Sequence, residues 1–141
     1  MRLSVDQGMW LRQHPIGEVF AAPFDVVFSR FDVVEPDLLY LSNETKAEAL
    51  TDKHALGADL VIEIASPGTR KRDVGIKLRL YERSGVSEYW FVDADARVVH
   101  VYRRTEHGFA AAVLFGGEAN EMLTAPLLPG LQLSLADLFR E

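Results

Sequence analysis

Residues Asp59 to Gly85 read DLVIEIASPGTRKRDVGIKLRLYERSG, and the fold turns on how this stretch divides. The first eight residues, Asp59 to Ser66, are β-branched and almost continuously apolar, the pattern of a strand covered on both faces. Ser66-Pro67-Gly68-Thr69 turns the chain. Beyond it Val74, Leu78 and Tyr81 recur at i, i+4 and i+7, which is an amphipathic helix. Ser66 or Thr69 is its expected cap and Gly85 its expected stop. Gly75 inside that helix costs about 1 kcal/mol relative to Ala, so a close approach is expected there.

Glu63 is the residue out of place. Side chains alternate along a strand, so Leu60, Ile62 and Ile64 share one face and Val61, Glu63 and Ala65 the other. A carboxylate on a covered face is costly unless it is paired or binds a metal. The plain alternative is pairing with an arginine or a place at an open end of the sheet. Glu63 lies three residues before Ser66, about 10 Å back along the strand. Lys77 lies seven residues into a helix starting near Arg70, also about 10 Å. A helix folding back over its strand therefore brings Lys77 level with Glu63, with Asp73 one turn nearer the strand's end. Asp37, held extended after Pro36, opens a strand (LLYLS) that can lie beside DLVIEIA. Alone, Asp37 reads as a turn residue. With Glu63 and an ammonium it makes a site for a hydrated divalent cation, since Mg²⁺ takes hard oxygen ligands and keeps several waters.

The rest of the chain limits the alternatives. Its 141 residues, 48% of them hydrophobic, fit one domain over residues 1–141 with a real core. There is no cysteine, hence no disulfide frame and no thiolate metal site, which is compatible with a cytoplasmic location. The N-terminus lacks the apolar core of a signal peptide, and no run reaches the roughly 18 apolar residues of a membrane span. The net charge of -6 is uneven: residues 1–63 hold five basic and eleven acidic side chains, and residues 64–141 ten of each. Such a balance argues against a broad nucleic-acid-coating surface. It leaves room for one basic helix, carrying Arg70, Lys71 and Arg72, beside an acidic pocket. A solvated helix face is the plain reading of that run.

Ser4 to His14 reads as a short helix capped by Ser4 or Asp6. IGEVFAAPFDVVFS gives two short strands broken near Pro23, and Leu38 to Ser42 a third. Residues 43–57 show no stripe and read as a long loop or one weak helical turn. EYWFVD, RVVHVYRRT and GFAAAVLFG are strands, and LPGLQLSLADLF closes with a short strand and a helical turn. His14, His54, His100 and His107 have no ligand spacing. SPGT lacks the length and lysine of a phosphate loop, and Ser42 and Ser66 lack a His and acid in a nucleophilic arrangement. Trp90 reads as core.

The segments VVEPDLLYLS and GADLVIEIASPGTRKRDVGIKLRLYERSGVSEYWFVD together resemble the Uma-type restriction endonuclease family, a branch of the PD-(D/E)xK nuclease superfamily. The resemblance runs from about residue 17 to the closing LPGLQLSLADLF. Its motifs are Pro36-Asp37, Glu63 with Ser66-Pro67, then Asp73, Lys77, Tyr81 and GVSEYWFVD. It implies an α/β, restriction-endonuclease-like mixed central β-sheet with a helix packed after the catalytic strand. It also implies Mg²⁺- or Mn²⁺-dependent hydrolysis of DNA, with Asp37 and Glu63 as metal ligands and Asp37, Glu63 and Lys77 as catalytic residues. Asp73 and Ser66 would support them, and Arg70, Lys71 and Arg72 would meet phosphates. DNA is the implied partner and a homodimer a candidate assembly. The superfamily's lysine usually stands two residues after the second acid, where this chain has Ala65, so Lys77 is the matching residue, supplied from the helix. Family members carry a longer N-terminal region, so the N-terminal part is expected to be shortened. The rival reading is a nuclease-fold interaction module without catalysis. The two part on whether the carboxylates of Asp37 and Glu63 come together and whether Lys77 points to them or to solvent.

Overall fold

A computed structural model describes residues 3–65, 70–116 and 121–139; of residues 3–6 and 70–74 it describes the backbone alone. Helix α1 (Leu3–Gln13) leads into strand β1 (Gly17–Ala21), followed by β2 (Asp25–Val27), β3 (Val33–Val34) and β4 (Leu38–Ser42). Helix α2 (Asn43–Ala49), β5 (His54–Ala55), β6 (Leu60–Ile64) and helix α3 (Arg70–Arg83) come next. Then follow β7 (Glu88–Asp93), β8 (Val98–Thr105), β9 (Gly108–Phe109) and β10 (Val113–Gly116). The chain closes with β11 (Met122–Leu123), β12 (Leu133–Ser134) and helix α4 (Leu135–Leu138).

Among the described residues the main sheet has seven strands in the order β1-β4-β6-β7-β8-β10, with β9 added to β8. Strands β6 and β7 run parallel while the other pairs in this sheet are antiparallel. The reason is local: β6 returns through α3, and a helical crossover is the connection a parallel pair needs. Gly85, at φ +83°, supplies the left-handed turn that ends α3, a conformation glycine adopts without a Cβ penalty. β2, β3 and β5 form a small separate sheet.

The main sheet is covered on both faces. On the α1 face, Leu38, Tyr40, Leu60, Ile62, Trp90 and Val92 pack with Leu11 and with Leu128, Leu133 and Leu138 of the C-terminal segment. On the α3 face, Leu39, Leu41, Val61, Tyr89 and Phe91 pack with Tyr81, Val86 and the small sheet's Val26 and Ala55. This double burial explains the unbroken apolar run of β6: Leu60, Val61 and Ile62 are at most 1% exposed, about 2 kcal/mol of burial each. Trp90 is core, at 1% exposure.

Several local expectations change. Residues 43–57, read as a long loop or one weak helical turn, hold more structure than either: the seven-residue helix α2 occupies Asn43–Ala49 and β5 follows. Ser42 caps α2, its Oγ accepting the Thr45 N–H at 3.2 Å. Asp59 braces the cap from the far side of the loop, accepting the Ser42 N–H at 2.6 Å and the Thr45 hydroxyl at 3.0 Å. No side chain of α2 is buried, which is why the sequence carries no stripe there. GFAAAVLFG makes two strands, β9 and β10, because Ala110 to Ala112 leave the ladder. At Gly75 a Cβ would find Arg79 Nη1 at 3.7 Å as its nearest neighbour, an ordinary contact, so no close approach accounts for that glycine. The caps proposed for α3, Ser66 and Thr69, lie outside the described residues.

Candidate functional site

The β4–β6 ladder ends at the rung Leu38↔Ile62. One residue beyond it stand Asp37 on one strand and Glu63 on the other. Continued alternation puts both on the α3 face, with Leu39 and Leu41 on one side and Val61 on the other. Past the last rung, the Ile64 N–H has no β4 carbonyl to meet. Asp37 Oδ2 accepts it at 2.6 Å. That bond holds Asp37 against β6 and turns one of its oxygens away from the ladder.

Glu63 is 7% exposed. Burial raises its pKa first of all; the bond from Lys77 and the charge of Lys77 lower it, and the charge of Asp37 raises it again. The direction is upward: burial of Glu63 and the charge of the partly exposed Asp37 outweigh the ammonium and the hydrogen bonds that oppose them. Lys77 Nζ forms a short ion pair with Glu63 Oε2. Its side chain keeps 35% of its surface exposed, so the stem lies on the helix while the amine reaches the sheet. One turn later on α3, the Tyr81 hydroxyl points at the same oxygen from 3.4 Å. Residues four apart share a helix face. Tyr81 is fully buried, its ring edge-on to Phe28 and tilted against Tyr89. Burial, and after it the Glu63 charge, pushes its pKa well above the ordinary phenol value. The hydroxyl thus stays protonated and serves as a donor.

Among the described residues, then, the two side-chain donors to Glu63, Lys77 and Tyr81, meet at Oε2, the Asp37 backbone N–H also bonds the Glu63 carboxylate, and the Ile64 N–H takes Asp37 Oδ2. An ionised carboxylate has about four acceptor sites, so Asp37 and Glu63 each keep acceptor capacity beyond these bonds. No group of three or more His, Cys, Asp or Glu that could hold a metal ion occurs among the described residues. Two carboxylate oxygens suit a hard cation that keeps most of its water, as Mg²⁺ does, better than zinc, which is held by three or four side chains, commonly His or Cys.

Of the residues singled out from sequence, Asp37, Glu63 and Lys77 come together. Ala65 packs against the apolar cluster of the α3 face. Ser66 and the side chains of Arg70, Lys71, Arg72 and Asp73 lie outside the described residues. From the residues themselves Tyr81 was legible as part of an apolar stripe, and the family resemblance included it in its motif set without a role. Its spacing of four from Lys77 is the signal that ties it to Glu63. His100 pairs in register with Phe91, and the rings meet at 5.6 Å. No helix among the described residues is long and apolar enough to cross a membrane.

A family model, Uma2, described as "Putative restriction endonuclease", matches residues 2–136. Among solved structures, the chain is similar to a "putative nuclease belonging to DUF820" from Anabaena variabilis ATCC 29413. The TM-score is 0.79 at 19% identity, covering 98% of this chain and 76% of that one. That likeness shows a shared α/β fold, a large mixed sheet with few helices. No curated protein matches.

Proposed function

The chain belongs to the Uma2 family, described as restriction endonucleases of putative standing, and from that membership we propose a Mg²⁺- or Mn²⁺-dependent endonuclease. It hydrolyses phosphodiester bonds in DNA at Asp37, Glu63 and Lys77. The observation that carries the reading is the meeting of two carboxylates, one on the residue before β4 and one on β6, with an ammonium from α3. Asp37 and Glu63 would be the metal ligands, through acceptor capacity that these hydrogen bonds do not use up. A divalent cation bound there supplies Lewis acidity toward a phosphoryl oxygen and a water of lowered pKa. Lys77 keeps protons on Nζ beyond the one given to Glu63, so it can hold a water or meet charge developing on phosphate. The half-exposed stem gives it the reach. Arg70, Lys71 and Arg72, at the start of α3, are assigned to phosphates, contacts that position a duplex without reading its sequence. Asp73 and Ser66 are assigned supporting roles.

Thermal unfolding with Mn²⁺ or Mg²⁺, run beside cleavage of plasmid DNA, tests the reading. Saturating metal is expected to raise Tm by about 3–6 °C, because a ligand that binds only the folded state stabilises it. Glu63→Gln should abolish that shift and lower cleavage about 10²–10³-fold. If millimolar metal neither shifts Tm nor supports cleavage, the interaction-module reading takes over.

A further inference from the structure

We infer that Tyr81 is a positioning residue, the fixed donor that sets the plane of the Glu63 carboxylate and leaves the Lys77 amine free to move. The inference rests on the catalytic reading of Asp37, Glu63 and Lys77. Two donors address one oxygen, and they differ in kind. Lys77 is a flexible chain, 35% exposed on its side chain, with four carbons that hold no single geometry by themselves. Tyr81 has two torsions, is fully buried, and is wedged between Phe28 and Tyr89. Of the pair only the phenol is rigid enough to orient the carboxylate. Its 3.4 Å separation from Oε2 is long for an O–H donor. That is expected where an ammonium already occupies the oxygen.

The arrangement answers a conflict in the site. Lys77 has to neutralise Glu63 and also reach a water or phosphate oxygen. If Lys77 were the sole donor, each excursion of its amine would strip a buried oxygen of its partner, which is costly. With Tyr81 present, Oε2 keeps a donor throughout. The amine then moves at little cost.

Tyr81→Phe keeps the ring and removes the donor. Three measurements on the full chain read the result: Mn²⁺ affinity by titration, kcat and KM for DNA cleavage, and the acylation rate of Lys77 by a water-soluble amine reagent in metal-free protein, followed by mass spectrometry. Supporting partners of metal ligands are worth about 10- to 100-fold in affinity or activity. The Mn²⁺ Kd is therefore expected to rise, and kcat to fall, by about tenfold, with KM unchanged. Lys77 acylation should slow several-fold, because the amine becomes the sole side-chain donor to Glu63 among the described residues. A merely structural tyrosine gives the opposite sign, since a loosened core exposes Lys77 and speeds labelling. Unchanged or faster labelling, or an unchanged Mn²⁺ affinity, overturns the inference. If that happens while the parent protein still cleaves DNA, the catalytic reading stands. If the parent protein neither binds Mn²⁺ nor cleaves, both fall. Should Tyr81→Phe not fold, 3-fluorotyrosine at position 81 keeps the hydroxyl and strengthens it as a donor. Lys77 labelling should then quicken, and a slower rate counts against the role.

Discussion

Two buried glutamates on the same sheet make an instructive pair. Glu88 on β7 faces α1, is 2% exposed, and accepts the Trp90 indole N–H. Directly across the ladder, Arg103 Nε lies 3.4 Å from it, and the same guanidinium donates to the Thr124 carbonyl at 2.8 Å. Glu63 on β6 faces α3, is 7% exposed, and has Lys77 and Tyr81 as donors. Burial raises both pKa values. What separates them is the company. Among its named influences Glu88 has donors and a cation, all of which lower its pKa against burial; Glu63 has in addition a second carboxylate, Asp37, which raises it. The first arrangement ties strands together. The second holds like charges side by side at a cost, and a cost of that kind is what marks a candidate site.

Breaking that comparison starts with activity. Glu63→Gln and Asp37→Asn should each lower DNA cleavage about 10²–10³-fold, a loss of roughly 3–4 kcal/mol of transition-state stabilisation, while the protein stays folded by circular dichroism. Glu88→Gln should leave the cleavage rate within about twofold. If Glu88→Gln kills activity at unchanged Tm, the division of roles is wrong. The next effect is on stability. Glu88→Ala leaves the Trp90 N–H without its acceptor and Arg103 without its counter-charge, at about 2–4 kcal/mol. Urea unfolding reads this as a lower midpoint at unchanged slope. Lys77→Met ranks below both for stability, since its partly exposed ion pair is worth about 0–1 kcal/mol. Its loss should appear in kcat.

The smallest effect concerns pH. An acid whose pKa is raised by folding binds more protons in the folded than in the unfolded state, between its ordinary and raised values. Its contribution to stability therefore falls as pH rises through that window. Melting Glu63→Gln beside the parent protein from pH 4 to 8 should show little difference at the acid end. Above the ordinary value of 4.5 the variant should become the more stable of the two. A gap that shrinks with pH would mean that Lys77 more than offsets burial.

Much of this was legible before any coordinates. Glu63 stood out because β6 alternates and is apolar all round it, and the match of strand rise to helix rise was enough to bring Lys77 level with it. Asp37 was reached from Pro36 and the following strand. Glu88 was not, because its partner is set by the β7–β8 register, which a sequence does not display. Helix α2, read as a loop or at most one weak helical turn, was underestimated for a related reason. Its hold is the carboxylate of Asp59, sixteen residues beyond Asn43, acting on a helix that buries nothing. Local rules see caps and stripes; they do not see a brace arriving from another strand.

The exposed turn Thr51-Asp52-Lys53 divides the site by ancestry along the chain. Glu63, Lys77 and Tyr81 belong to one β–α–β passage on its C-terminal side, and Asp37 arrives from the N-terminal side. The two halves are joined across the turn by the β4–β6 ladder, the Asp59 brace on α2, and the pairing of β5 with β2. All of these are non-covalent and none needs the peptide between Asp52 and Lys53. The protein should therefore behave as two separable parts. Residues 1–52 and 53–141, made apart and mixed, should reassociate and recover the metal response that neither has alone, whereas Asp37→Asn in the smaller fragment should let them associate without recovering it.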